Sequence, residues 1–528
     1  MQEAPPESPV RHSTNPHYGD DSPHDYDDDV EDVPVTEDPI DHSNATIGVH
    51  GFSNGDGDMI TTPGASLSTA EQRQNRPWYR RRTYQLAVGA VVLVTILVAI
   101  IVPATRNKQL QSQLANSQNP NGAGTSKPFV FVPQLPEEEI VSNKLAFNAV
   151  LLDYYKQYNL NWNSVTVAGS PQANSLEWVC GSATYLNLDS GRRVQRYALG
   201  VFYYSTYQQN NDYYYADVTT SFDVPGWTSA ANWMSAADEC TWEGIECQDG
   251  LAVSNILLRE HQLSGTLPLE LAFLESLVDL DLTSNFVYVD GEAAVTPFSN
   301  MNTLTSLQME DNYIVTTQSG FPPTLASMTS VQQIVMSYNI LKGPISESTF
   351  AQLSQLTHLE AESNYITGDF PTSLLQNANL LYIYMRRNSM TVHLPTTLAR
   401  GTLPSIFALW LDTNVVNGGI PSSISNHTLL ASLSITNATL TGTIPSELGD
   451  LTGLRRVWLY TNLLQGTIPQ TLGADTELEV LELYQNQLSG SMPPQVCTTI
   501  ANSNYEFKAL SADCNSVSCT NCCTQCYQ

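Results

Sequence analysis

The feature that most constrains this chain is an internal period. Aligned on L-x-x-L-x-L-x-x-N-x-L, with Val, Ile, Met or Ala allowed for Leu, ten units start at Val253, Leu277, Leu304, Val331, Leu356, Leu380, Ile406, Leu430, Leu454 and Leu478, 24 to 27 residues apart. Periods in this range mark stacked repeats, in which each unit packs mainly on its neighbours. The alternating apolar positions, as at Leu277, Leu280 and Leu282, specify a short strand with one buried face. An asparagine follows in eight units: Asn285, Asn312, Asn339, Asn364, Asn388, Asn414, Asn462 and Asn486. It falls where the chain turns inward, and its amide can bond the backbone groups that a buried turn must satisfy. Six units continue into a G-x-I-P-like segment, the first at Gly265 to Pro268 and the last at Gly490 to Pro493. Glycine and proline there set a tight convex return.

An array of this kind needs covered ends. Trp227, Trp233 and Cys240-Thr241-Trp242-Glu243-Gly244-Ile245-Glu246-Cys247 precede it, and Cys497, Cys514, Cys519, Cys522, Cys523 and Cys526 close it. The C-terminal spacing, C-x4-C-x2-C-C-x2-C, admits a zinc site. Outside the cell, disulfides are the better reading, with Cys240 and Cys247 as a pair and three bridges of open connectivity at the far end. Nine cysteines is an odd number, which leaves Cys180 free or paired elsewhere.

Residues 83–105 contain no charge, and 86–102 are nearly all Val, Leu, Ile and Ala, enough to span a bilayer at about 20 residues. Trp78, Tyr79 and Tyr84 flank the run as an aromatic belt. Arg73, Arg76, Arg80, Arg81 and Arg82 lie before it, against Arg106 and Lys108 after it, so the N-terminus is expected in the cytosol. Every cysteine lies C-terminal of the run, as do the sequons at Asn426 and Asn437, which are expected to be glycosylated. The sequence therefore divides into an acidic disordered tail (1–77), a signal anchor with its basic flank (78–105), a flexible stalk (106–136), a cap region (137–252), the repeats (253–496) and a cysteine-rich C-terminal cap (497–528). The tail carries the run Asp25, Asp27, Asp28, Asp29, Glu31 and Asp32 and too few aliphatic residues to offset its ordering entropy.

Leu263-Ser264-Gly265-Thr266-Leu267-Pro268, its later copies and the W-x-G-I-x-C cap at Trp242 to Cys247 resemble the plant-specific class of leucine-rich-repeat receptor-like proteins. The resemblance runs from about Trp227 to Met492. A narrower one is to diatom members of the class, carried by Val194-Gln195-Arg196-Tyr197-Ala198-Leu199-Gly200-Val201-Phe202-Tyr203-Tyr204-Ser205-Thr206 before the cap and by the cysteine-dense tail. It implies an α/β leucine-rich-repeat solenoid: curved, with parallel strands on the concave face, an irregular or 3-10 convex side, a helical N-terminal cap over 137–224 and one transmembrane helix. The sequence departs from the plant receptors in placing that helix before the repeats. It also carries no G-x-G-x-x-G, H-R-D or D-F-G set of a kinase.

In each strand the residues between the apolar positions face the concave surface. Early units offer Asp279, Asp281, Gln308, Glu310, Asp311, His358, Glu360 and Glu362. Later ones offer Tyr382, Tyr384, Arg386, Arg387, Trp410, Asp412, Arg456, Trp458, Tyr460, Glu482 and Tyr484. Exposed Tyr, Trp and Arg dominate binding energy at interfaces, so the later units are the expected ligand surface. The chain thus reads as a non-catalytic receptor for an extracellular protein, peptide or glycan, with a cytosolic or membrane signalling partner. The alternative is a tether to cell wall or matrix polymer. H-E-x-x-H, G-x-S-x-G and P-loop motifs are missing from the sequence, and no cofactor or metal is expected. A net charge of -30 argues against nucleic acid.

Overall fold

The computed structural model describes residues 134–528, apart from 208–226, 294–295, 395–397, 474–476, 504–507, 520–521 and 528. The expected tail, the anchor at 83–105 and nearly all of the stalk lie outside the described residues. Among the described residues no helix is long and apolar enough to cross a membrane.

Every unit contributes one short strand to a single sheet. A first hairpin, β1 (Ile245–Gln248) with β2 (Ala252–Leu257), is antiparallel. From β2 onward all pairing is parallel. The strands are β3 (Asp279–Asp281), β4 (Ser306–Gln308), β5 (Gln333–Val335), β6 (His358–Glu360), β7 (Tyr382–Tyr384), β8 (Ala408–Trp410), β9 (Ser432–Ser434), β10 (Arg456–Trp458) and β11 (Val480–Glu482). Their central residues, such as Leu280, Leu307, Ile334 and Leu359, stack in register and are fully buried. This column is the spine of the core. Burial of a leucine side chain contributes about 1.5–3 kcal/mol, so a long register of them stabilises a fold that no single unit could hold.

The sheet extends past the repeat pattern. α5 (Pro494–Asn502) leads to β12 (Ala509–Asp513), which pairs with β11, and β13 (Gln525–Tyr527) pairs with β12. The cysteine-rich end is thus built as further turns of the solenoid, with Cys497–Cys522, Cys514–Cys526 and Cys519–Cys523 bridged across them. At the other end Cys240 is bonded to Cys247, and Cys180 is free and buried.

A second set of strands runs along the flank, including a four-stranded sheet through Lys342–Pro344, Tyr365–Asp369, Ser389–His393 and Val415–Asn417. The sequence pattern does not announce it, because these segments follow the asparagine and are too short or too irregular to read as strands, Ser389–His393 alone alternating throughout. Gly343 shows how closely the turns approach: at φ 113°, an added Cβ would lie 2.6 Å from backbone of Gln318.

The asparagines do what their position implies. Asn312 Nδ2 donates to Leu282 O of the preceding turn at 2.8 Å, and its Oδ1 accepts from Val287 N at 3.1 Å. Two units lack the asparagine and hold His261 and Ala438 in its place. Both slots share one remedy. Left-handed residues flank the slot, Glu260 and Gln262 in one case and Asn437 and Thr439 in the other. The next asparagine then takes two backbone amides: Asn285 Oδ1 accepts from His261 N and Leu263 N, and Asn462 Oδ1 from Ala438 N and Leu440 N.

The N-terminal cap is helical: α1 (Glu137–Gln157), α2 (Asn163–Thr166), α3 (Pro171–Gly181) and α4 (Ser190–Thr206). Asp189 caps α4 through Arg192 N at 2.8 Å. Arg196 Nε donates to buried Glu239 Oε2 at 2.8 Å and Arg192 holds the other oxygen, tying α4 to the disulfide turn. Burial alone would raise the Glu239 carboxyl, but the hydrogen bond from Arg192 and the charge of Arg196 hold it below its ordinary value. Against the first repeats, Tyr155 Oη and Gln172 Nε2 donate to buried Glu270 Oε1 at 2.7 and 3.0 Å.

Candidate concave recognition face

Because neighbouring strands lie about 4.8 Å apart, residues at one strand position in successive turns form a column. The middle concave column reads Glu360, Tyr384, Trp410, Ser434, Trp458 and Glu482. Two residues further on in each turn stand Glu362, Arg386, Asp412, Thr436, Tyr460 and Tyr484. The residues expected to form a ligand surface are therefore brought together, with Tyr382 and Arg456 in a third column at the first position of each strand and with Arg387 as the exception. Arg387 sits on the left-handed turn beyond the strand at φ 52°, exposed and outside these columns, as does Asp311 at φ 53°.

Their exposure differs from expectation. Tyr384 is 2% exposed, Trp410 4% and Trp458 7%, and Arg456 and Asp412 are buried as well. The column spacing explains this, since large side chains in adjacent turns cover one another. Tyr384 and Trp410 have ring centroids 4.4 Å apart, and Trp410 meets Trp458 edge to face at 6.0 Å, over the small Ser434 between them. Trp410 Nε1 donates to Ser432 Oγ at 2.8 Å. Such ring pairs contribute about 0.5–1.5 kcal/mol beyond area burial. The face is thus a pre-packed aromatic floor rather than a row of loose rings.

Charges are paired into it. Arg386 donates from Nε and Nη2 to the two oxygens of Glu362 at 2.9 and 2.8 Å, and its guanidinium carbon lies 4.9 Å from the Trp410 ring centre. Asp412 Oδ1 accepts from Ser434 Oγ at 2.6 Å and from Thr436 N at 2.7 Å. His358 Nε2 is 3.5 Å from Glu360 Oε2, and its ring packs on Tyr382 and Tyr384. Arg456 Nε stands 3.7 Å from Glu479.

At the C-terminal end Tyr460, Tyr484 and Tyr527 form a face-to-face stack, with centroids 4.5 and 3.7 Å apart. Tyr527 escaped the sequence reading because β13 falls beyond the repeat pattern. The one signal is the alternation of Leu510 and Ala512 in β12, which restores strand period after the last recognisable unit. Glu482 lies beside this stack, directly across the register from Trp458. Burial pushes its carboxyl up to about 7. The Tyr484 hydroxyl is raised too, first by burial and then by the charges of its neighbours.

Both sequon asparagines are exposed. Asn426 ends the 3-10 turn Ser422–Asn426, and Asn437 follows β9 at the rim of the aromatic floor, one residue after Thr436. Among the described residues the sulfurs of Cys514, Cys519 and Cys523 lie close enough together to hold a metal ion, but each is engaged in a disulfide.

No family model matches the chain. Among curated proteins it is similar to Serine/threonine-protein kinase BRI1-like 1 of Arabidopsis thaliana, 28% identical over 165 residues, and to Receptor-like protein 35 of the same plant, 34% identical over 115 residues. These matches cover 26% and 22% of this chain, and only 14% and 11% of the relatives' own lengths. Among solved structures, the ectodomain of the Arabidopsis thaliana receptor kinase GASSHO1/SCHENGEN3 is 27% identical, with a TM-score of 0.45, over 52% of this chain and 31% of that one. A plant ice-binding protein is 19% identical, with a TM-score of 0.37, over 51% of this chain and 84% of that one. The chain is a leucine-rich-repeat solenoid, similar over part of its length to plant leucine-rich-repeat receptor proteins.

Proposed function

We propose that this chain is a membrane-anchored, non-catalytic recognition protein whose concave face binds an extracellular peptide or protein segment. The observation that carries the reading is the aromatic floor running from Tyr384 through Trp410 and Trp458, continued by the stack of Tyr460 and Tyr484. Rigid, already ordered rings lose little entropy when a partner docks, which is the property that distinguishes a recognition surface from scattered aromatics. Arg386, Asp412 and Arg456 supply the polar register along it. The likeness to a receptor-like protein points the same way. In this reading residues 83–105 form the anchor, the arginines before them stay in the cytosol, and residues 1–77 meet a cytosolic partner.

A sugar-stacking tether is less well supported. It needs open ring faces, whereas Tyr484 is sandwiched between Tyr460 and Tyr527. The test is to present the full-length chain in lipid nanodiscs to parallel peptide and glycan arrays. The reading expects peptide capture that Trp410→Ala, Trp458→Ala or Tyr460→Ala weakens tenfold or more. Capture of glycans alone, or peptide capture indifferent to all three variants, contradicts it.

A further inference from the structure

The concave face contains one cation site that the protein fills itself and a second, similar one that it leaves open. The filled site is made by Glu362, Arg386 and Trp410 on three successive turns: the guanidinium is gripped by both carboxylate oxygens and lies over the indole. Toward the C-terminal end, Trp458 and Glu482 stand directly opposite each other on adjacent strands. A carboxylate and an indole again face the same groove, here on adjacent strands rather than with an arginine's turn between them, and no arginine or lysine bonds Glu482 among the described residues. Arg456, the nearest base by strand position, turns to Glu479 at 3.7 Å. On the side away from Trp458, Glu482 faces buried Ser511 across the register, and two residues further along its own turn stands Tyr484, stacked between Tyr460 and Tyr527.

We propose that Glu482 and Trp458 form a subsite for a guanidinium group, the head of an arginine side chain on the peptide that the concave face binds. The inference rests on the peptide-binding reading above and names the chemistry of one anchor. A carboxylate with its lone pairs unused accepts a charge-assisted pair of hydrogen bonds, and an indole adds cation–π attraction in a partly desolvated site. Guanidinium fits better than ammonium for two reasons. It is planar and more weakly hydrated, so it gives up less on leaving water. The filled site also shows that this face accommodates a fork of that shape beside an indole. Burial raises the Glu482 carboxyl, and an incoming cation relieves that cost.

The experiment titrates the full-length chain with N-butylguanidinium, N-butylammonium and neutral N-butylurea, using indole fluorescence and ligand-observed NMR at pH 8. Saturable N-butylguanidinium binding is expected, tighter than that of N-butylammonium, with no binding of N-butylurea. Glu482→Gln, an isosteric change, is expected to weaken it at least tenfold, while Glu477→Gln, at an exposed carboxylate paired with Arg455, leaves it unchanged. Equal binding of N-butylguanidinium by wild type and Glu482→Gln overturns the proposal, as does equal binding of all three probes. The proposal also fails if N-butylguanidinium does not bind while peptide capture still depends on Trp410, and in that outcome the recognition reading survives. Loss of that peptide dependence with N-butylguanidinium binding intact instead removes the broader reading and leaves the subsite.

Discussion

Arg386 holds Glu362 through both carboxylate oxygens, at 2.9 and 2.8 Å, one turn of the solenoid apart. Glu362 is buried, so the pair is a commitment rather than an ornament. Removing the arginine alone leaves a buried carboxylate without its cation, which typically costs about 3–5 kcal/mol. Arg386→Ala is therefore expected to lower the denaturant midpoint sharply, and the double variant Arg386→Met with Glu362→Leu to recover most of the loss. Equilibrium denaturation of the three proteins checks this.

Asn462, like Asn285, does more than the rungs that accept a single amide. Its Oδ1 accepts from Ala438 N and Leu440 N, while Nδ2 donates to Ile435 O at 2.6 Å and to Leu459 O at 3.1 Å. It compensates for a neighbouring turn that has alanine in the asparagine slot. Asn462→Ala should then cost about 2–3 kcal/mol, because buried backbone groups on both sides lose their partner. Asn312→Ala, with a single amide accepted, should cost less. Thermal melts of both variants decide the order.

Carboxyl burial makes a pH prediction with a definite sign. Glu482 is raised from its model-compound value of 4.5 to about 7, and Glu270 is raised as well, in both cases chiefly by burial. A carboxyl that binds its proton more tightly in the folded state favours folding at low pH. That contribution is lost as pH rises from about 4.5 to 7. Glu482→Gln should accordingly raise the melting temperature at pH 8 and leave it nearly unchanged at pH 4.5. Partial solvation discounts the effect to about 1–2 kcal/mol.

Thiol chemistry separates the one free cysteine from the rest. Cys180 is fully buried, and burial pushes its thiol up to about 12. It should remain silent to a thiol reagent in native buffer and react only on unfolding, since the thiolate is the reactive form. Breaking Cys240–Cys247 by a double serine substitution should destabilise the cap by about 2–3 kcal/mol, as expected for a short closed loop. Reagent counting before and after denaturation, with melts of the variant, measures both.

Much of the fold was legible in the sequence because the period was. Leu280, Leu307 and Leu359 fall where the pattern put them, and Asn285 and Asn312 bond the backbone as their position implied. What escaped had no period to announce it. The flank strands take their geometry from stacking on adjacent turns, while β12 rejoins the register only through Leu510 and Ala512, without the asparagine of a full unit, and β13 is tied on by the Cys514–Cys526 bridge. At the concave face the residue types and their strand positions were readable, but not their burial. Trp410 and Trp458 look exposed when one turn is read at a time, and cover each other once turns are stacked across Ser434. The open position of Glu482 is likewise a property of neighbours, visible only when Arg456 is seen turned to Glu479.

The most direct test of the account places a photo-crosslinking amino acid in the full-length chain, at Tyr460 on the aromatic floor or at Tyr365 on the exposed flank, and irradiates each with a captured peptide. The account predicts crosslinks from position 460, abolished by Trp458→Ala, and none from position 365. Crosslinking from the flank with none from the floor would contradict it.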